Sequence, residues 1–453
     1  MTPAMFSIAA ALQQGLATAP GAPLQHLAPV QSGWIWFLAT VVKLLLIFTM
    51  YMLGVMFWIW VERRVCAFIQ DRRGPNRVGP HGLLQSVADG VKNIMKEETY
   101  PAEANAPLFV LAPALSFIPA LITWAVIPFG APWVTSGGQV IGMALAPMPI
   151  GYLFIIAIAS LGVYGIVLAG WASNNKYSLL GGLRSSAQMV SYEIAMGMAI
   201  IPVLLLAGNV SLETIVEKQA ASGFAWNVAT CTIACFIFWV AAFAETNRVP
   251  FDLPEAESEL VAGYHSEYSA MKFSMFFIAE YANVTTASAL LATLFFGGWD
   301  IPFITWDNVA PHTFLKTLLT FAFLWAKISF FIFVFIWVRW TVPRFRYDQL
   351  MALGWKVMLP LALAYIVVIA AACLGLQMGG FHTGQWQFTL GLVILNIICV
   401  GIVFWLMDRG RIISPAYSRL DRRDVDKLRR VAIDRSRLQP AEAGTGIGAG
   451  GAD

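Results

Sequence analysis

Charged residues are scarce in this chain. Asp, Glu, Lys and Arg make up 12% of its 453 residues, whereas hydrophobic residues make up 58%. Water-soluble domains are roughly one quarter charged. The composition therefore excludes an ordinary soluble enzyme and predicts an integral membrane protein.

The side chains that usually hold metals and cofactors are also few and badly spaced. The five cysteines form no CxxC pair and the five histidines form no HxxxH pair. No GxxxxGK[ST] loop is present, and no GxGxxG follows a strand. No iron–sulfur, haem, zinc or nucleotide site can therefore be read from the sequence.

Long apolar runs dominate what is present. Nine of them are long enough to cross about 30 Å of hydrocarbon. They lie near residues 34–61, 108–129, 151–171, 187–208, 224–244, 271–297, 313–338, 357–377 and 386–407. We therefore expect an all-α polytopic helical bundle.

The positive charges indicate how the bundle is oriented. Lys and Arg residues number seven, two, one, four and ten in the connections on one side, 24 in all, against one on the other side. Because positive charge is retained inside the cell, the N-terminus is expected outside and the basic tail in the cytoplasm. An odd number of spans is then required, which supports a ninth span independently of its hydropathy.

One connection departs from the basic character of cytoplasmic loops. The 24 residues of segment 245–268 contain a single cation, Arg248, and six carboxylates. These are Glu245, Asp252, Glu255, Glu257, Glu259 and Glu267. Crowded carboxylates repel one another, so some of them must hold protons near neutral pH. A proton-handling cluster is one interpretation; a helix cap formed by Asp252 and Glu255 explains two of the six.

Several ionisable residues lie within the predicted apolar spans, among them Lys43 of the first span. Glu193, Glu280 and Lys327 lie at depths where a charge is costly, which makes each a candidate for a proton path. The alternative is structural pairing with a cation or snorkelling to the interface.

The first long connection combines a basic turn with an amphipathic segment. Arginines surround the glycines and prolines of residues 72–80, and residues 84–96 place apolar side chains on one face. This pattern predicts a helix lying on the membrane surface, beside a cavity that opens at the interface.

Four stretches, taken together, resemble the H subunit of respiratory complex I, the counterpart of mitochondrial NADH dehydrogenase subunit 1. They are ERRVCAFIQDRRGPNRVGPHGLLQSVADGVKNIMKEE, LRSSAQMVSYEIAMG, AETNRVPFDLPEAESELVAGYHSEYSAMKFSMFFIAEYANV and PRFRYDQLMALGWKVMLPLAL. The resemblance runs from about residue 34 to 377.

The resemblance implies a membrane subunit that forms a ubiquinone chamber and couples quinone reduction to proton translocation. It implies that Arg63, Asp89, Arg184, Phe277 and Arg346 line the quinone cavity. It places Glu193, Glu245, Glu255, Glu257, Glu259 and Glu280 on an acidic funnel and proton path. We add Asp252, Glu267 and Lys327 to that path on their own positions, since the first two lie in the acidic segment and the third lies within an apolar span. The chain itself would bind no cofactor; NADH, FMN and iron–sulfur clusters would belong to partner subunits, and ubiquinone would be the substrate.

The resemblance also implies the surroundings of the chain. The expected partners are the iron–sulfur and quinone-site subunits of the peripheral arm, small membrane subunits, antiporter-like subunits and the lipid bilayer. The expected location is a bacterial inner membrane, and no nucleic acid is involved.

The family core has eight spans, and this chain departs from it in two ways: it adds a ninth span with a basic tail, and its N-terminal extension is longer than usual. We expect an N-terminal extension (1–33), the complex-I-like membrane domain (34–377), an additional transmembrane helix (378–407) and a basic tail (408–453) whose end is disordered.

Three other functions stay open on the sequence alone. A stand-alone proton or cation transporter lacks support because no internal repeat is visible. A quinone-independent subunit of a membrane-bound hydrogenase would be told apart by its indifference to quinone. A purely structural anchor would tolerate neutralisation of Glu193 or Glu280.

Overall fold

The chain folds into α-helices in a computed structural model. The structure describes residues 33–134, 140–221, 226–254, 257–302, 306, 313–381 and 385–408. The predicted N-terminal extension up to residue 32 and the tail from residue 409 lie outside them. The chain divides into two compact units, residues 1–397 and 398–453.

The α-helices are, in chain order, α1 (Trp34–Ile69), α2 (Gln85–Met95), α3 (Ala106–Ile122), α4 (Gly151–Ala159), α5 (Leu161–Ala172), α6 (Lys176–Ala207), α7 (Leu212–Ala221), α8 (Asn227–Thr230), α9 (Thr232–Glu245), α10 (Glu257–Leu260), α11 (Ala270–Phe295), α12 (Phe314–Thr341), α13 (Tyr347–Ala352), α14 (Leu359–Met378) and α15 (Trp386–Asp408). A π-helical turn (Leu353–Met358) joins α13 to α14. One short antiparallel pair, β1 (Trp133–Val134) and β2 (Val140–Ile141), aligns Trp133 with Ile141.

The structure confirms the predicted class, a bundle of membrane-spanning helices. Within the described ranges, eight helices are long and apolar enough to cross a membrane. The fifth predicted span is the exception, because it breaks at Cys231 into α8 and α9. Helix α9 has 14 residues and rises about 21 Å, less than the hydrocarbon thickness.

Two helices extend beyond their predicted bounds. Helix α1 runs on to Ile69, so Glu62 and the two arginines after it lie within the helix rather than ending it. Helix α6 begins at Lys176, where the Oδ1 of Asn175 accepts a hydrogen bond at 2.9 Å from the amide of Tyr177. Glu193 consequently lies mid-helix, not two turns from its start.

The predicted helix cap at Asp252 is wrong. Residues 253 and 254 form a turn, and the next helix, α10, begins at Glu257. The Asp252 carboxylate instead accepts from the guanidinium of Arg344.

The predicted surface helix is present as α2. Its apolar side chains, among them Val87, Val91 and Ile94, are exposed on the described chain. The hydroxyl of Ser86 donates to the Met56 carbonyl of α1 at 2.8 Å. The hydrogen bond fixes α2 to the bundle while its apolar face stays exposed.

Helices α3 and α5 approach each other through small residues. A Cβ added to Gly165 of α5 would lie 2.8 Å from the Ala112 carbonyl oxygen and 2.2 Å from the Ser116 hydroxyl of α3. Close backbone approach of this kind is how membrane helices gain packing energy without a hydrophobic driving force.

We therefore expect Gly165→Ala to destabilise the subunit by roughly 1–3 kcal/mol, because the added methyl group has to push α3 away. Gly162→Ala is the matched control on the same helix, since nothing lies within 4 Å of its added Cβ. Thermal unfolding of the purified complex, followed by size-exclusion chromatography, measures the difference. Equal transition temperatures for the two variants would contradict the proposed close packing.

Candidate functional site

A buried cluster of charges ties together helices that are distant in the sequence. Glu62 of α1 and Glu280 of α11 both pair with Arg248, which lies just after α9. The Nη1 of Arg248 is 3.2 Å from Glu62 Oε1, and its Nε is 2.6 Å from Glu280 Oε1. Arg248 and Glu62 are each 5% exposed, so these ion pairs are screened little by solvent.

Two further side chains complete this buried cluster. The Tyr281 hydroxyl donates to Glu62 Oε2 at 2.6 Å, and the Arg339 guanidinium of α12 donates to Glu62 Oε1. The Arg248 guanidinium also lies 4.3 Å from the Tyr281 ring centroid. Burial opposes the charge of Arg248, but Glu280 and Glu62 outweigh it and raise the pKa of Arg248. The charges of two carboxylates and two guanidinium groups thus cancel within this buried cluster.

A second group of polar residues surrounds the end of α9. The buried Gln188 of α6 donates through Nε2 to the carbonyls of Ala244 and Phe251, both at 2.7 Å. Glu245 interacts electrostatically with Glu193 of α6, and both carboxylates interact with Tyr152 of α4. The buried Tyr152 hydroxyl has no hydrogen-bond partner among the described residues.

The exposed ion pair Arg63–Asp89 lies where α1 meets the surface helix. Arg63 Nη1 is 2.6 Å from Asp89 Oδ2, and Gln85 Nε2 donates to Asp89 Oδ1 at 3.1 Å. Partial burial opposes ionisation of Asp89, but the hydrogen bonds from Arg63 and Gln85 outweigh it and lower its pKa. The Asp89 carboxylate is therefore ionised at neutral pH.

The remaining predicted site residues fall into three sets. Arg184 pairs with Glu259 at 2.6 Å, Asp252 pairs with Arg344, and Glu267 accepts from Asn175 at 2.7 Å. Phe277 and Arg346 are exposed; the Phe277 ring centroid is 5.0 Å from that of Tyr281. Glu255 lies outside the described residues, and only the backbone of Glu257 is described.

Lys327 lies apart from these groups. Its Nζ donates to the carbonyls of Phe296, Gly298 and Asp300, just after the end of α11, at 2.7–2.9 Å. The 12 residues that separate it from Arg339 on α12 correspond to about 18 Å along the helix. The fold does not bring Lys327 to the buried cluster.

Sequence reasoning missed several members of the two groups. Glu62 and Arg339 read as charges at the ends of apolar spans, and Arg248 as the one cation in an acidic loop. Excess carboxylates around a single arginine do signal an ion pair. No sequence signal identifies Tyr281 or Gln188, because their partners lie far away in the chain.

In the described parts of the chain, no group of three His, Cys, Asp or Glu side chains is placed so that it could hold a metal ion.

These features define a polytopic helical membrane protein with a balanced charge cluster buried at one end of its bundle. The family model described as "NADH dehydrogenase" matches residues 42–370. The chain belongs to this family, which includes the H subunit of NADH-quinone oxidoreductase.

Individual relatives agree with the family match. The chain is 48% identical over 328 residues to the NADH-quinone oxidoreductase H subunit 1 of Cytophaga hutchinsonii, covering 72% of this chain and 94% of the relative. It is 52% identical over 318 residues to the H subunit of Salinibacter ruber (69% and 89%) and 52% identical over 319 residues to subunit 8 of Rhodothermus marinus (69% and 90%). The predicted resemblance to the H subunit is thereby confirmed. The family match ends before α15 begins.

The buried cluster predicts a large stability effect. Glu62→Gln leaves Arg248 and Arg339 short of one negative charge, and a broken buried pair costs roughly 3–5 kcal/mol. Glu259→Gln is the control, because it breaks an exposed pair worth about 0–1 kcal/mol.

Thermal unfolding of the complex in detergent, followed through this subunit, compares the two variants. We expect a clearly lowered transition for Glu62→Gln and a transition near wild type for Glu259→Gln. A lowering of the same size in both variants would show that the buried cluster has no special weight.

Proposed function

We propose that this chain forms the quinone chamber of NADH-quinone oxidoreductase and couples quinone reduction to proton translocation. One observation carries the proposal: the exposed pair Arg63–Asp89, which we take as the chamber mouth, the buried cluster and the Glu193–Glu245 pair are joined by residues that are close together in the sequence. Arg63 of the exposed pair follows Glu62 of the buried cluster in the sequence. Arg248 of that cluster lies three residues after Glu245, which interacts with Glu193.

The mouth has the chemistry that a quinone requires. The apolar face of α2 and the 37% exposed ring of Phe277 suit an isoprenoid tail, and a guanidinium group suits the oxygens of the headgroup. Arg63 and Asp89 lie at this position. Arg184 and Arg346 would serve deeper in the same chamber.

Glu193 and Glu245 would be the proton-exchanging groups. Two carboxylates that repel each other cannot both be ionised cheaply, and neither has a cationic partner within the described ranges. Asp252, Glu255, Glu257, Glu259 and Glu267 would form the funnel that leads to them. Glu280 and Lys327 would relay the change along the bundle.

Within this proposal the chain supplies no redox group. Electrons would reach ubiquinone from an iron–sulfur cluster of a peripheral-arm subunit, with NADH and FMN bound further away. As a multi-pass membrane subunit, the chain has the other subunits of the complex as partners. Antiporter-like subunits would receive the coupling signal, and the N-terminus would lie outside a bacterial inner membrane.

Two of the three competing functions are distinguished by simple measurements. A hydrogenase subunit would work without quinone, whereas the curated relatives are named for quinone. A stand-alone transporter would be active without other subunits after purification. Dependence on added ubiquinone and copurification of the peripheral arm are the results that favour our proposal.

Glu193→Gln in the assembled complex tests the proton path. We expect NADH:ubiquinone turnover and proton translocation in the same membranes to fall together, by tenfold or more, as for the loss of a proton-transfer group. Oxidation of NADH by an artificial acceptor, which bypasses the quinone, controls for assembly.

Glu97→Gln is the matched variant, because it removes an exposed carboxylate outside the proposed path. Wild-type turnover and translocation in Glu193→Gln would refute the role of this carboxylate. A purely structural anchor predicts that outcome.

Asp89→Asn tests the chamber mouth. Losing the ion pair frees the Arg63 side chain to leave its position, so the KM for short-chain ubiquinone should rise several-fold with a smaller change in kcat. Lys96→Gln, just beyond the end of α2, should leave both values near wild type. Steady-state kinetics over a range of quinone concentrations gives the answer, and an unchanged KM in Asp89→Asn would count against this mouth.

A further inference from the structure

Helix α15, which follows the part of the chain matched by the family, meets the bundle along a narrow stripe. Phe388, Leu392 and Asn396 recur every four residues and are at most 3% exposed, whereas Leu390 and Ile394 are half exposed. A Cβ on Gly391 would lie 3.1 Å from the Leu376 side chain of α14. Packing alone therefore fixes this helix only along one line.

The buried Asn396 makes specific hydrogen bonds within that stripe. Its Nδ2 donates to the Thr230 carbonyl and, at 2.9 Å, to the Leu392 carbonyl. Its Oδ1 accepts at 2.5 Å from the Tyr365 hydroxyl of α14. Both N–H groups and the carbonyl of the amide are used, as a polar group inside a membrane bundle requires.

The Thr230 carbonyl lies at the break in the fifth span. Cys231, with φ −135° and ψ 48°, separates α8 from α9. Backbone groups freed by such a break have no water to bond with at membrane depth and must be satisfied by neighbouring segments. Asn396 supplies a donor at this position.

A side-chain amide thus binds the backbone at the C-terminal end of α9 and another binds it at the break just before α9. Gln188 binds the Ala244 carbonyl next to Glu245, and Asn396 binds the Thr230 carbonyl at the break. We infer that the first half of α15 is a brace for the broken fifth span, and that Asn396 is a positioning residue that keeps α9, and with it Glu245, in place. The importance of Glu245 rests on the proposed function, whereas the bracing of α9 by Asn396 does not.

Asn396→Leu in the assembled complex tests the brace, because leucine keeps the volume and removes the hydrogen bonds. Ile394→Leu, on the exposed side of the same helix, is the matched control. Hydrogen–deuterium exchange of peptides covering residues 227–235 reports the break directly and involves no quinone chemistry. We expect exchange several-fold faster than wild type in Asn396→Leu and unchanged exchange in Ile394→Leu.

Protons translocated per NADH oxidised is the second readout, because it is normalised to turnover and does not respond to a mere loss of assembled complex. Faster exchange together with a lowered ratio supports the inference. Wild-type exchange in Asn396→Leu overturns the brace, and faster exchange with an unchanged ratio overturns the positioning of Glu245. Wild-type coupling in Glu193→Gln would instead refute the proposed function while leaving the exchange result intact.

Tyr365→Phe covers the case in which Asn396→Leu does not assemble. It removes only the hydroxyl that orients the Asn396 amide, so exchange at residues 227–235 should rise by a smaller factor. Exchange equal to wild type in that variant overturns the brace.

Discussion

The pairing of Arg248 with Glu62 and Glu280 is the interaction on which the rest of the bundle depends. The three side chains come from α1, from the connection after α9, and from α11, and Arg339 adds α12. A single buried charge among these helices would cost several kcal/mol, so each group is tolerated only because the others are present. The cluster therefore fixes the relative positions of four segments that apolar packing would leave free to slide.

This balance divides the buried carboxylates into two kinds. Glu62 and Glu280 are paired with arginine side chains. Glu193 and Glu245 face each other and a tyrosine. Under the proposed function, groups of the first kind would maintain a fixed electric field, whereas groups of the second kind would change their protonation when that field changes. Arg248, which belongs to the first set, lies three residues after Glu245, which belongs to the second.

The sequence predicted the helical membrane class and the surface helix because both follow from hydrophobic periodicity, a strong and local signal. It predicted Glu193 as unusual because a carboxylate within an apolar run needs no partner to be noticed. It could not predict that Arg248 lies inside the bundle, since that depends on carboxylates 186 and 32 residues away in the chain. The start of α6 was missed although Asn175 is a good N-cap residue, because the glycines and polar residues after it lower the apparent hydropathy.

The break at Cys231 illustrates a different limit. Residues 227–235 contain neither proline nor glycine, the residues that normally mark a kink. Nothing local therefore distinguishes a broken span from a continuous one. What makes the break tolerable is a donor from Asn396, more than 160 residues later. A membrane helix can only be interrupted where another segment satisfies its backbone. The break at Cys231 lies in the part of the chain that the family matches, and the donor that satisfies it comes from α15, which follows that part.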